Sequence, residues 1–304
     1  MPFVEVSSST GTIKFHYTIS TPACANAETI DPHLPVVLFF HAFAFHTIFH
    51  SQFSDELLRK FNLVVFDLRW HGYTECDTLR YCNSHSRLSI IVFEDALQLP
   101  PCHFVSIDIG SMVALQIAVT KPEYVRSLFI MSHICLEELD VALGYTQYAF
   151  SSNMSNLAKC VSNILSTSLF AAALPIDLKN WSPEHLKEYP HSQQALSRIS
   201  CPVKLLHGSG IVNFLNPCKR AGLDVSFHAV PNAPHYLCAD HGNEVNPLIH
   251  DFIWENIVNK EGIFIPTYVV SPWDKLLREY GWTLTGKNNY DDEDITVSFP
   301  SGNI

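Results

Sequence analysis

Five short apolar runs constrain this chain more than any other feature. "PVVLFFH" (35–41), "NLVVFDL" (62–68), "CHFVSID" (102–108), "RSLFIMS" (126–132) and "PVKLLHG" (202–208) are continuous rather than alternating. Runs of strand length with no polar alternation fit strands covered on both faces, the usual state of a mostly parallel sheet. "VSFHAV" (225–230) extends the series. Between the runs lie helix-like segments: "LSIIVFEDALQL", "SMVALQIAV" and the amphipathic "NEVNPLIHDFIWENIV". "SDELLRKF" predicts a further short helix with Ser54 as N-cap. Alternating strand and helix implies the α/β class, with helices on both faces of the sheet and right-handed crossovers. At the start, "FVEVSSS" and "TIKFHYTIS" alternate and predict an antiparallel pair.

The rhythm breaks after residue 132, which predicts four parts. Residues 1–132 are the first part of a core domain, 133–195 a helical cap, 196–258 the second part of the core, and 259–304 a C-terminal extension. In the extension, "IFIPTYVVSPW" is apolar enough to pack on the body, while the acidic end is expected to be loosely held.

Composition excludes several function classes. The chain has 304 residues, 47% of them apolar and 16% charged, enough to bury a large core. A net charge of -11 gains nothing from phosphate backbones, so nucleic acid is not an expected partner. No apolar run is long enough for a membrane span. No G-x-G-x-x-G, Walker, H-E-x-x-H or closely spaced Cys/His pattern occurs, so neither a cofactor nor a metal is expected. The opening "MPFVEVSSSTG" has no basic start or apolar run. Together with nine cysteines and no C-x-x-C pair, this gives a cytoplasmic location with reduced thiols as the expectation. The sixteen histidines are scattered, and the oligomeric state is left open.

The chemistry-bearing segments come in a definite order. "LFFHAF" follows the first buried run, "FDLRWHGYTE" the second, and "SIDIGS" joins the third run to its helix. "PEYVRSLFIMS", "CPVKLLHGSGIV" and "VPNAPHYL" follow. In this order the segments resemble the α/β-hydrolase family, and more narrowly its basidiomycete fungal members. The resemblance covers about residues 1–257 and implies a mostly parallel central sheet, flanking helices and a helical cap insertion. "SIDIGS" stands where the family has the nucleophile elbow G-x-S-x-G, so Asp108 takes the nucleophile position. The resemblance also implies His235 of "APHYL" as catalytic histidine and the amides of Phe43 and Ile109 as oxyanion donors. His41, His71 and Gly72 are expected to be structural, and Cys238 an inert buried thiol.

Two departures stand out. The elbow residue is aspartate, as in members resembling epoxide hydrolases and haloalkane dehalogenases. The position expected to carry the acid is Ile211; Glu137 and Glu138 are the nearest carboxylates to an alternative acid position near Ser132. Tyr145, Tyr148 and Tyr189 in the cap segment, with Phe45 and Ile211, are candidates to contact substrate.

A carboxylate at the start of a helix sits where negative charge is favoured. It can attack an epoxide or another activated carbon, and a histidine can then activate water against the resulting ester. Three readings follow. The first is a hydrolase of a small hydrophobic substrate using Asp108 and His235. The second is a non-hydrolytic isomerase, lyase or cyclase of secondary metabolism using an Asp108–His235 acid/base dyad. The third is a binding protein whose catalytic site has decayed.

Overall fold

The structure is a computed structural model that describes residues 2–8, 11–42, 46–69, 71–76, 90–91, 93–133, 193–208, 215–234, 236–257, 260 and 270–279. Among these residues nine strands form one sheet. They are β1 (Phe3–Ser8), β2 (Gly11–Ser20), β3 (Val36–Phe40), β4 (Asn62–Phe66), β5 (Glu75–Cys76), β6 (Cys102–Ile107), β7 (Val125–Met131), β8 (Val203–His207) and β9 (Val225–Ala229). Their order is β1-β2-β4-β3-β6-β7-β8-β9, with the short β5 also on β2. The pairs β3–β4, β3–β6, β6–β7, β7–β8 and β8–β9 are parallel, and β1–β2 and β2–β4 are antiparallel.

The apolar runs become strands because both faces of the sheet are covered. In β3, Val36, Leu38 and Phe40 enter one core cluster and Val37 and Phe39 the other. The first cluster packs β3, β4, β6 and β7 against α2 (Ile109–Thr120). The second packs the opposite face against residues 48–61, α3 (Leu237–Asp240), α4 (Gly242–Glu255) and Trp273. Each fully buried Phe or Leu contributes roughly 1.5–3 kcal/mol by leaving water.

Three sequence expectations change in detail. "SDELLRKF" does not form a helix starting at Ser54. The helix there is α1 (His50–Phe53), and Ser54 is its C-cap, with its hydroxyl donating to the His50 carbonyl. Asp55 Oδ1 accepts the Leu57 and Leu58 N–H groups, which turns the chain before a single 3₁₀ turn at Leu58–Lys60. An Asp side chain capturing the following N–H groups competes with helix, and here it wins. The second change is in β2. Its sequence alternates, yet from Phe15 onward both faces are buried. The strand lies between β1 and β4, and the rings of Phe3, His46 and Tyr73 cover His16. The third is the two-residue β5, which pairs with β2 although no apolar run marks it.

The extension packs on the body where it is described. α5 (Asp274–Glu279) follows Trp273, which is 1% exposed and meets Phe53 at 4.9 Å between ring centroids. Arg59, itself buried, donates to the Val270 carbonyl at 3.2 Å. No helix among the described residues is long and apolar enough to cross a membrane. The segment 133–195, read as a cap, lies outside the described residues except His133 and the start of a short helix at Gln193–Leu196.

Candidate active site

Asp108 follows β6 directly and precedes α2. Its N–H still donates to the Met131 carbonyl of β7, at 3.3 Å, so the strand is held to its last residue. The backbone then turns with φ 54° and ψ -126°. Positive φ of this kind costs a non-glycine residue about 1–3 kcal/mol and persists only where the surroundings enforce it. Two features enforce it. The Ser111 N–H closes the first helical turn on the Asp108 carbonyl at 3.1 Å. Gly110 lets α2 approach the end of β3 so closely that a Cβ there would lie 2.3 Å from the Phe40 oxygen and 2.5 Å from the His41 oxygen.

The side chain of Asp108 is 4% exposed and makes no capping bond to the helix it precedes. It accepts a hydrogen bond from the Tyr236 hydroxyl. Burial, and next the Asp108 charge, push the Tyr236 phenol well above its ordinary range, so it is a proton donor at any physiological pH. Tyr236 follows His235 in the chain and precedes α3, whose Leu237, Cys238 and Ala239 are buried. Sequence reasoning passed over Tyr236; its one signal was a phenol directly after His235 in "APHYL". The Cys238 thiol is fully buried and pushed far up by burial, as an inert core thiol should be.

A polar knot ties this loop to the other side of the site. Gln52 of α1 donates to Asn246 Oδ1 of α4 at 2.6 Å and to the Cys238 carbonyl at 3.0 Å. Asn246 in turn donates to Asp55 at 3.0 Å. Buried hydrogen bonds of this kind fix α1, α3 and α4 relative to one another.

His41 ties the end of β3 to the segment after β4. Its Nε2 accepts the Leu68 N–H at 2.8 Å and its Nδ1 donates to the Ala42 carbonyl at 2.5 Å. Burial, and then the neighbouring His71, push its pKa down to about 3, so the imidazole is neutral and structural. His71 meets His41 edge to face at 5.4 Å and donates from Nδ1 to the Arg69 carbonyl at 2.9 Å. Burial lowers its pKa, while the Asp67 and Asp108 charges push the other way.

Behind these rings lies a cluster no motif announced. Asp67, at the end of β4, accepts from His16 Nδ1 of β2 at 2.7 Å and from His46 Nδ1. Its Oδ2 also takes the Tyr73 N–H at 3.0 Å. Burial alone would raise the Asp67 carboxyl; the two histidines overcome it and hold it well below the usual carboxylate range. Gly72, with φ +55°, makes room, since a Cβ there would fall 2.2 Å from Asp67 Oδ2. Ligand atoms of His16, His46 and Asp67 lie within 4.8 Å of one another, close enough for a cation. As arranged, both carboxylate oxygens are engaged by N–H donors, which makes the cluster a hydrogen-bonded His–Asp–His brace.

Of the residues expected in the site, Asp108 and Ile109 are described and adjacent at the elbow. Ile109 opens α2, where the first N–H groups have no intrahelical acceptor and can face a developing negative charge. His235, Phe43, Phe45, Ile211, Glu137, Glu138, Tyr145, Tyr148 and Tyr189 lie outside the described residues.

A family model described as the alpha/beta hydrolase fold matches residues 35–172. Among solved structures, an esterase from Thermogutta terrifontis is similar at 16% identity, with TM-score 0.66, covering 84% of this chain and 99% of that one. A carboxylesterase of the thaumarchaeon Nitrososphaera gargenis is similar at 14% identity, TM-score 0.69, over 84% of this chain and 98% of that one. The enol-lactonase of Burkholderia xenovorans LB400 is similar at 13% identity, TM-score 0.65, over 83% and 100%. Among curated proteins no relative matches the sequence. At such identities the likeness speaks for the fold, and the fold of this chain is the α/β-hydrolase fold.

Proposed function

We propose that this chain, built on the α/β-hydrolase fold, is an enzyme that hydrolyses a small, largely apolar substrate at an epoxide, ester or other activated carbon. Asp108 is the nucleophile and His235 the base that activates water. The observation that carries the reading is the Asp108 backbone. An aspartate is kept at φ 54° between a buried strand and a helix, at a cost a glycine would lessen, and its carboxylate is not spent on capping that helix. A charged group in that position is placed to attack, with the Ile109 N–H beside it to hold the negative charge that develops.

In the first step, with an epoxide, one Asp108 oxygen bonds to a ring carbon as the ring C–O bond breaks; the electron pair stays on the ring oxygen, which takes a proton from solvent, and the product is a hydroxyalkyl ester of Asp108. In the second, water deprotonated by His235 attacks the ester and frees the alcohol. Incubation with styrene oxide, rapid quenching and peptide mapping is expected to show an ester on the peptide that contains Asp108. Full turnover by Asp108→Asn would sink the reading.

A further inference from the structure

We infer that Tyr236 is a catalytic oxyanion donor in the second half of this reaction, its hydroxyl acting on the carbonyl oxygen of the Asp108 ester. The inference rests on the nucleophilic reading of Asp108 given above. It starts from one contact: the half-buried Tyr236 donates a hydrogen bond from its phenol to the Asp108 carboxylate. A carboxylate has two oxygens, and only one attacks. The oxygen that accepts from Tyr236 has a lone pair engaged and is the poorer nucleophile, so the other oxygen forms the new bond to carbon. With an epoxide, the ring C–O bond breaks, its electron pair stays on the ring oxygen, and that oxygen takes a proton from solvent.

In the ester the oxygen facing Tyr236 is therefore the carbonyl oxygen. Water then adds to Cγ, its proton passes to His235, and the carbonyl π pair becomes a full charge on the oxygen the phenol already faces. Collapse returns that pair and breaks the bond from Cγ to the alkoxide. The alkoxide takes the proton from His235, and the proton left on the Asp108 carboxyl returns to solvent. A donor already aimed at that oxygen needs no reorganisation when charge appears, which is where such donors accelerate most. The Gln52–Asn246–Cys238 bonds hold the start of α3, and so the base of the phenol, in place.

The test separates formation of the ester from its breakdown. The full-length protein, Tyr236→Phe and a variant with 3-fluorotyrosine at position 236 are mixed with styrene oxide, and the Asp108 adduct is followed by mass spectrometry after rapid quenching. Tyr236→Phe is expected to alkylate within a few-fold of the parent rate and to break the adduct down about 10²–10³-fold more slowly, so that the adduct accumulates. Fluorotyrosine keeps the ring's shape and donates more strongly, so breakdown at least as fast as in the parent is expected. Wild-type breakdown in Tyr236→Phe overturns the assignment, as does faster alkylation with breakdown unchanged. If Tyr236→Phe loses its fold, slower breakdown in the fluorotyrosine variant overturns it instead. No adduct and no turnover in the parent protein would overturn the nucleophilic reading itself, and this inference with it.

Discussion

Gly110→Ala is the substitution whose sign separates the geometry of the elbow from generic helix behaviour. In an ordinary helix interior, replacing glycine by alanine stabilises by about 0.5–1 kcal/mol, because alanine loses less backbone freedom on folding. At position 110 the added Cβ would sit 2.3 Å from the Phe40 oxygen and 2.5 Å from the His41 oxygen. Both are backbone atoms, so neither can swing aside; α2 has to move away from β3. Overpacking of this kind costs about 1–3 kcal/mol, and two rigid contacts place it in the upper half of that range. The net result is destabilisation by about 1–2 kcal/mol, or a Tm lower by about 2–8 °C at the slope usual for large domains. Because α2 starts at the elbow, the same shift withdraws the Ile109 N–H from Asp108, so breakdown of the Asp108 ester, where negative charge develops, should slow as well. The assay is urea unfolding beside the breakdown rate of the Asp108 adduct, for parent and variant. A variant as stable as the parent, or more stable, would refute the close approach of α2 to β3.

Three other substitutions test the charged and apolar interior. Asp67→Asn should cost about 3–5 kcal/mol, since it removes the charge that two buried histidines hydrogen-bond, measured by chemical denaturation at neutral pH. The Asp67 carboxyl is held low in the fold, so its contribution is present above the unfolded value near 3.9 and is lost as pH falls further. The parent should therefore lose stability below about pH 4 more steeply than Asp67→Asn. Glu94→Met should stabilise by about 1–3 kcal/mol, because Glu94 is 1% exposed with neither carboxyl oxygen hydrogen-bonded. Burial, then Asp95, raises the Glu94 carboxyl, so its contribution is whole below about pH 4.3 and is lost as pH rises; the gain of the variant over the parent should grow from pH 4 to pH 7. Trp273→Ala should cost about 3–5 kcal/mol in thermal or urea unfolding, because the indole is buried against Phe53 and His46.

The parts of the fold that were legible in the sequence are those set by burial on two faces. Each continuous apolar run became a strand, because neighbouring strands and helices leave it no wet side. The elbow was legible because "SIDIGS" joins a buried run to a helix with Asp108 at the turn. Other features depend on neighbours that local pattern does not carry. His16 sits on an alternating stretch whose polar side would be wet in a lone hairpin, and only the rings of Phe3, His46 and Tyr73, brought from other segments, cover it. His16, His46 and Asp67 come from separate segments and meet only because those segments converge at the end of β4. The bond from Tyr236 to Asp108 joins residues far apart in the chain, and only the packing of the loop before α3 aims the phenol. At Ser54 the error was local: a helix-like composition lost to the turn that Asp55 makes with the N–H groups after it.

The central claim is that an Asp108 oxygen enters the substrate, and oxygen-18 tests it most directly. A single turnover of styrene oxide is run in labelled water, and both the diol and the Asp108 peptide are analysed by mass spectrometry. The account predicts that the first diol released carries unlabelled oxygen taken from Asp108, while the label appears in the Asp108 carboxyl group. A diol labelled in the first turnover, with Asp108 left unlabelled, would contradict it.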